Sequence, residues 1–131
     1  MLLDTHVILW WTSDDRKLSA RARRDIARAD SIFVSPVSCL EIATLVRMER
    51  IHLGRDVTAW TRDLLETDRV SIAALTPVIA AEAGALPNDF PRDPADRVLY
   101  ATARDLAVPF VTKDSPIAEY ARRAKDVRVV W

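Results

Sequence analysis

Residues 1–11 read Met1-Leu2-Leu3-Asp4-Thr5-His6-Val7-Ile8-Leu9-Trp10-Trp11. An aliphatic pair gives way at once to an acid, and the apolar pattern resumes from Val7 to Trp11. A short buried strand, a carboxylate at its end and a helix beyond it together open a βα unit. Working outward, aliphatic runs recur at Ile32-Phe33-Val34, Val70-Ser71-Ile72, 108–112 and 127–130, each the length of a short buried strand. Between them, Leu18, Ala22, Ile26 and Ala29 repeat at helical spacing, as do Val37, Leu40, Thr44, Leu45 and Met48, which we read as a core-facing stripe. Further helices are expected over 57–66, 77–85, 94–107 and 116–124. Strands alternating with helices predict an α/β fold with a central, mainly parallel sheet flanked by helices. Ligands of such sheets bind beyond the carboxyl ends of the strands, so acids placed there come first.

Composition narrows the class. At 131 residues the chain predicts a single domain over 1–131, and 50% hydrophobic against 29% charged residues is the balance of a soluble protein with a substantial core. Lys plus Arg and Asp plus Glu each number 19, so attraction to nucleic acid must come from local patches. The one cysteine, Cys39, excludes a disulfide framework or a multi-cysteine zinc site. The opening stretch lacks the basic start of a secretory leader, and no apolar run approaches the roughly 20 residues that cross a bilayer. A cytoplasmic address with no membrane association is expected.

Asp4, Glu41, Asp93, Asp96 and Asp114 carry the chemistry. Asp4 follows the first strand, where helix capping is the ordinary role. Glu41 lies one turn from Val37 and Leu45 on or beside the apolar stripe, and a carboxylate drawn toward a core needs a partner or a cation. In Arg92-Asp93-Pro94-Ala95-Asp96-Arg97, Asp93 is well placed as N-cap and Pro94 as first helical residue. Asp96 shares a face with Leu99 and Ala103, toward the sheet. Asp114 follows the strand at 108–112 and precedes Ser115-Pro116. In a parallel sheet Asp4 and Asp114 converge. Carboxylates gathered in this way raise one another's pKa unless a divalent cation neutralises them, and all-oxygen coordination suits Mg²⁺, with Mn²⁺ as substitute.

The pattern resembles the PIN-domain family, most closely its VapC-like toxins of bacterial toxin-antitoxin pairs. The resemblance runs over nearly the whole chain: the opening from Leu2 to Trp11, Ser35-Pro36-Val37-Ser38-Cys39-Leu40-Glu41-Ile42, the run from Arg92 to Ala103, and Phe110-Val111-Thr112-Lys113-Asp114. It implies a PIN-like three-layer sandwich with metal-binding, catalytic acids at Asp4, Glu41, Asp96 and Asp114. Asp93 shares a role with Asp96 in some variants of the pattern, and Thr5, Ser35 and Thr112 become polar neighbours of metal or substrate. The implied activity is a Mg²⁺-dependent endoribonuclease cutting structured RNA, such as transfer or ribosomal RNA, with water activated by the metal. A homodimer and a small antitoxin occluding the active site are the implied partners.

Other residues fall into place around this reading. Arg97 and Lys113 adjoin proposed ligands and are candidates to hold a phosphate, whereas Arg21, Arg24 and Arg28 make an ordinary solvated helix face. His6 beside Asp4 could order a water, His52 is a packing or surface residue, and Cys39 a small buried hydrophobe. Leu9, Trp10 and Trp11 form core or a subunit contact. A receiver-type signalling domain is the rival from another class, but it needs an acidic pair where Asp4 is followed by Thr5. A dehalogenase-type phosphotransferase needs an acid where His6 stands. A catalytically silent PIN-like scaffold is the remaining alternative, against which the presence of all four acids argues.

Overall fold

Leu2 and Leu3 are both fully buried, yet they serve opposite cores. Successive strand residues point to opposite faces, so a strand with both residues buried must lie inside a sheet covered on two sides. The computed structural model, which describes all 131 residues, shows that arrangement. Leu3 joins Val111 and Val130 in a core closed by Val7, Ile8, Ala22, Ile26, Ile42 and Leu64. Leu2 joins Phe110 in the opposite core, closed by Phe90, Leu99, Tyr100, Ile117 and Ala121.

The elements run β1 (Leu2–Leu3), α1 (Thr5–Thr12), α2 (Ala20–Arg28), β2 (Ile32–Val34), α3 (Pro36–Arg47), α4 (Val57–Glu66), β3 (Val70–Ile72), α5 (Pro77–Ala85), α6 (Pro94–Asp105), β4 (Phe110–Val111), α7 (Ser115–Ala124) and β5 (Val129–Val130). One five-stranded sheet has the order β3-β2-β1-β4-β5, and every pairing is parallel. Helices α1 to α4 line the Leu3 face, and α6 and α7 the Leu2 face. The chain winds outward from β1 to β3, then returns to place β4 beside β1. Between β1 and β4 the winding reverses, and crevices for ligands form at such switch points. The residues just beyond those two strands are Asp4 and Thr112.

Two expectations change. In α3 the buried positions are Ser38 and Ile42, while Leu40 is 66% and Met48 53% exposed, so of the expected core stripe only Val37 packs against a core, and Thr44 and Leu45 are half-buried. Ser38 tolerates burial because its hydroxyl meets that of Thr5 at 2.9 Å. β3 is an edge strand with Ile72 44% exposed, rather than a buried one. No helix is long and apolar enough to cross a membrane.

Candidate active site

Asp4 has the backbone of an N-cap for α1, but its side chain makes no capping hydrogen bond. Only 4% exposed, its Oδ2 instead accepts from the Thr112 hydroxyl at 2.5 Å, and Thr112 Oγ1 in turn accepts the Asp114 N–H at 3.0 Å. His6 closes the circuit from the other side. Its Nε2 accepts the Lys113 N–H at 3.2 Å, which leaves the proton of the neutral ring on Nδ1, 3.4 Å from Asp4 Oδ2. Burial lowers the His6 pKa, with Lys113 adding to the effect against Asp4 and Asp114, so the neutral ring prevails at pH 7. The end of β1 and the turn after β4 are thus tied together around one carboxylate.

Glu41 reaches the same region from α3. The Thr5 hydroxyl donates to Glu41 Oε2 at 2.6 Å while touching Ser38 Oγ. Glu41 borders the buried Ser38–Ile42 face and the exposed Leu40 face, which is why its carboxylate sits half-buried beside the crevice rather than in the core. Ser38 was not among the expected site residues; its spacing of three from Glu41, one helical turn, is the signal that could have marked it.

Asp96 enters from the first turn of α6, below its cap. Its carboxyl is pushed up to about 7, first by burial and then by repulsion from Asp4, Asp93, Asp114 and Glu41. Burial also raises Asp4 and Glu41, and the neighbouring acids add to this, Asp114 on Asp4 and both Asp93 and Asp4 on Glu41. The expected acids therefore feel one another across a single crevice.

The other expected residues divide. Asp114 caps α7, its Oδ1 accepting the Ile117 N–H at 2.8 Å, while it stays close enough to raise Asp4 and Asp96. Asp93 is exposed and caps α6, accepting from the N–H groups of Ala95 at 2.8 Å and Asp96 at 3.3 Å. Ser35 is fully buried and caps α3 through Val37 N–H, which makes its hydroxyl part of the helix start. Arg97 is a correction: its guanidinium donates to the carbonyls of Ala83, Gly84, Leu86 and Pro91, closing the end of α5 instead of facing a phosphate. Lys113 is exposed, with Nζ 5.6 Å from the Trp10 ring centroid. Arg21, Arg24 and Arg28 are exposed, as a solvated face requires.

The donor set fits a hard divalent cation. As they stand, no three His, Cys, Asp or Glu side chains are gathered tightly enough to grip an ion directly. Mg²⁺, however, keeps several waters and takes only one or two carboxylates directly, so acids that couple electrostatically without touching are suited to it. Asp4, Glu41, Asp96 and Asp114 would hold the ion, and Thr5 and Thr112 fix two of the carboxylates in place.

Residues 1–123 match the family described as PIN domain. The chain is 44% identical over 131 residues to Ribonuclease VapC22 of Mycobacterium tuberculosis, covering 100% of this chain and 98% of the relative. Its fold is similar to that of VapBC2 from Rickettsia felis bound to a promoter DNA fragment, with TM-score 0.67, 12% identity and coverage of 98% and 95% of the two chains. It is also similar to FitAcB from Neisseria gonorrhoeae, with TM-score 0.59, 18% identity and coverage of 98% and 94%. With a family match over nearly its full length and four acids around the β1/β4 crevice, the chain belongs to the PIN-domain family, in its VapC-like branch.

Proposed function

We propose that the protein is the toxin of a toxin-antitoxin pair and acts as a Mg²⁺-dependent endoribonuclease on structured RNA. The observation that carries the reading is the gathering of acids at the β1/β4 crevice, with Asp4 tied to the turn after β4 by Thr112 and Glu41 held by Thr5. The carboxyl of Asp96, pushed up to about 7 by burial and by the surrounding acids, agrees with a crowded anionic crevice that a cation relieves. A bound Mg²⁺ supplies an acidified water and neutralises charge on the phosphate.

The chain's own residues do the rest. Thr112 and His6 orient the Asp4 carboxylate from two sides, and Thr5 holds Glu41. Asp96 would hold a cation as its carboxylate, and Asp114 is fixed by its helix cap. The Thr5 and Thr112 hydroxyls are taken up as donors to Glu41 and Asp4, and hydrolysis by water is the chemistry this reading assigns to the crevice. Of the two cations expected to meet a phosphate, Lys113 is the one left to do so. An antitoxin of the kind seen in the relatives' complexes belongs to the same reading, as do a cytoplasmic site of action and a second copy of the chain. For the second copy, Ile72, Leu75 and Val78 form an exposed apolar stretch between 43% and 62% accessible.

The test is end-group analysis of RNA cut by purified protein. Hydrolysis by water leaves a 5′-phosphate and a 3′-hydroxyl and stops in EDTA. Cyclic phosphate ends formed without metal defeat the reading, and soluble, metal-binding protein that cuts no RNA and leaves growth unimpaired favours the silent scaffold.

A further inference from the structure

The carboxylate crevice has two unlike flanks. On the Glu41 side lies a groove walled by Val37, Leu40, Leu45 and Met48, with Arg50 and Asp93 also lining it. On the Asp114 side lies an open shelf of about 290 Å³, lined by His6, Trp10, Lys113, Asp114 and Ser115. The shelf joins an aromatic surface, a cation and one of the crevice carboxylates. The His6 and Trp10 ring centroids are 4.7 Å apart and the planes are tilted by 56°. Lys113 Nζ stands 5.6 Å from the Trp10 centroid. His6 is fixed by the Lys113 N–H, so the ring pair keeps a set position relative to Asp4. Trp131 supports Trp10 at 5.7 Å between centroids.

A phosphodiester positioned at Asp4 and Asp114 carries one nucleoside toward each flank. The Glu41 flank has a cation, Arg50, but no aromatic ring; the other joins aromatic rings to a cation, which is what an unpaired nucleotide uses. Aromatic rings stack on any base, and a lysine meets a phosphate as a point charge. We propose that His6, Trp10 and Lys113 form a subsite for the unpaired nucleotide next to the scissile phosphate. This rests on the ribonuclease reading of the acids. Stacking tolerates any base, so the subsite sets which bond lies at the carboxylates, and favours looped-out over paired RNA, without choosing the base. Trp10 thereby gains a task beyond bordering the Leu3 core.

The experiment uses the full chain and a fluorescent single-stranded oligoribonucleotide, with KM, kcat and salt dependence measured after melting curves establish folding. Trp10→Leu is expected to raise KM about tenfold, within the range for loss of one base-aromatic stack, with a smaller change in kcat; Trp10→Phe recovers most of it. Lys113→Gln, an exposed change, is expected to lower the slope of log affinity against log salt by about 0.7, one phosphate's share on a single strand. Tyr120→Phe, in the aromatic cluster with Phe90 and Tyr100 on the Leu2 face, changes neither. An unchanged KM in folded Trp10→Leu, a loss confined to kcat, or an unchanged salt slope in Lys113→Gln overturns the subsite. Should Trp10→Leu fail to fold, the salt slope decides. If the unaltered chain binds the oligonucleotide but cuts nothing in Mg²⁺ or Mn²⁺, the ribonuclease reading fails, while the same variants scored by equilibrium binding still decide the subsite.

Discussion

Asp4 and Asp93 occupy the same local position, each an N-cap residue with extended backbone at the start of a helix, and the fold uses them in opposite ways. Asp93 gives its carboxylate to two N–H groups of its own helix. Asp4 caps nothing with its side chain and instead accepts the Thr112 hydroxyl, 108 residues away in sequence. Position alone does not separate them. What differs is the neighbourhood: Asp4 lies beyond a central strand at the point where the sheet reverses its winding, and Asp93 lies after a loop on the outer layer. A carboxylate held off its helix by a distant hydroxyl is positioned for something other than folding.

The largest effect that tests this contrast is Asp4→Asn. Cleavage is expected to fall by more than the roughly 10- to 100-fold typical of losing a residue that merely orients a metal ligand. The metal-free protein should be as stable as the original or more so, by on the order of 1 kcal/mol, because one charge leaves a crowded anionic site. That gain corresponds to a few degrees in melting temperature. The deciding measurement is the melting shift on adding Mn²⁺: an equal shift in both proteins means Asp4 does not hold the ion, and the contrast with Asp93 collapses.

A middle-sized effect follows from Asp96. Its carboxyl titrates near 7 in the folded chain and near the ordinary aspartate value when unfolded. Between those values the folded state binds the extra proton, so stability of the metal-free protein must fall as pH rises through that window. Melting scans from about pH 4 to 8 in EDTA should show the decline up to about pH 7 and a plateau above it, and the decline should flatten in Asp96→Asn and in the original protein with Mg²⁺ present. A decline of the same size in the variant would place its origin elsewhere.

Much of this was legible in the sequence because the determining features are local. Two-residue strands between polar breaks, prolines at the first turn of four helices and acids after strands all announce themselves within a few residues. The orientation of α3 does not. Val37, Leu40, Thr44, Leu45 and Met48 form as good an apolar stripe as Ser38, Cys39, Ile42 and Val46, and the choice falls to the pairing of Ser38 with Thr5 across the crevice. Glu41 lies at the border of both stripes, so the carboxylate reaches the crevice although the stripe was read facing inward. Arg97 likewise reads as a cation beside a ligand until the loop after α5 surrounds it with carbonyls. Such hydrogen-bond partners are far apart in sequence and leave no periodic trace.

The smallest effect belongs to Asp93 and tests the other half of the comparison. If its carboxylate serves only α6, Asp93→Ala should cost about 1 kcal/mol, the usual worth of a cap, and Asp93→Asn only a few tenths, since Asn caps about as well. Cleavage should stay within a few-fold in both. The two variants are not equivalent to the site, however, because Asp93 is one of the charges that raise Asp96. Removing it in either form should shift the Asp96 titration downward, whereas only the alanine variant loses the cap. A pH-melting curve displaced in both, with stability reduced only in Asp93→Ala, separates the cap from its long-range charge. Loss of cleavage in Asp93→Asn comparable to that in Asp4→Asn would move Asp93 into the ligand set.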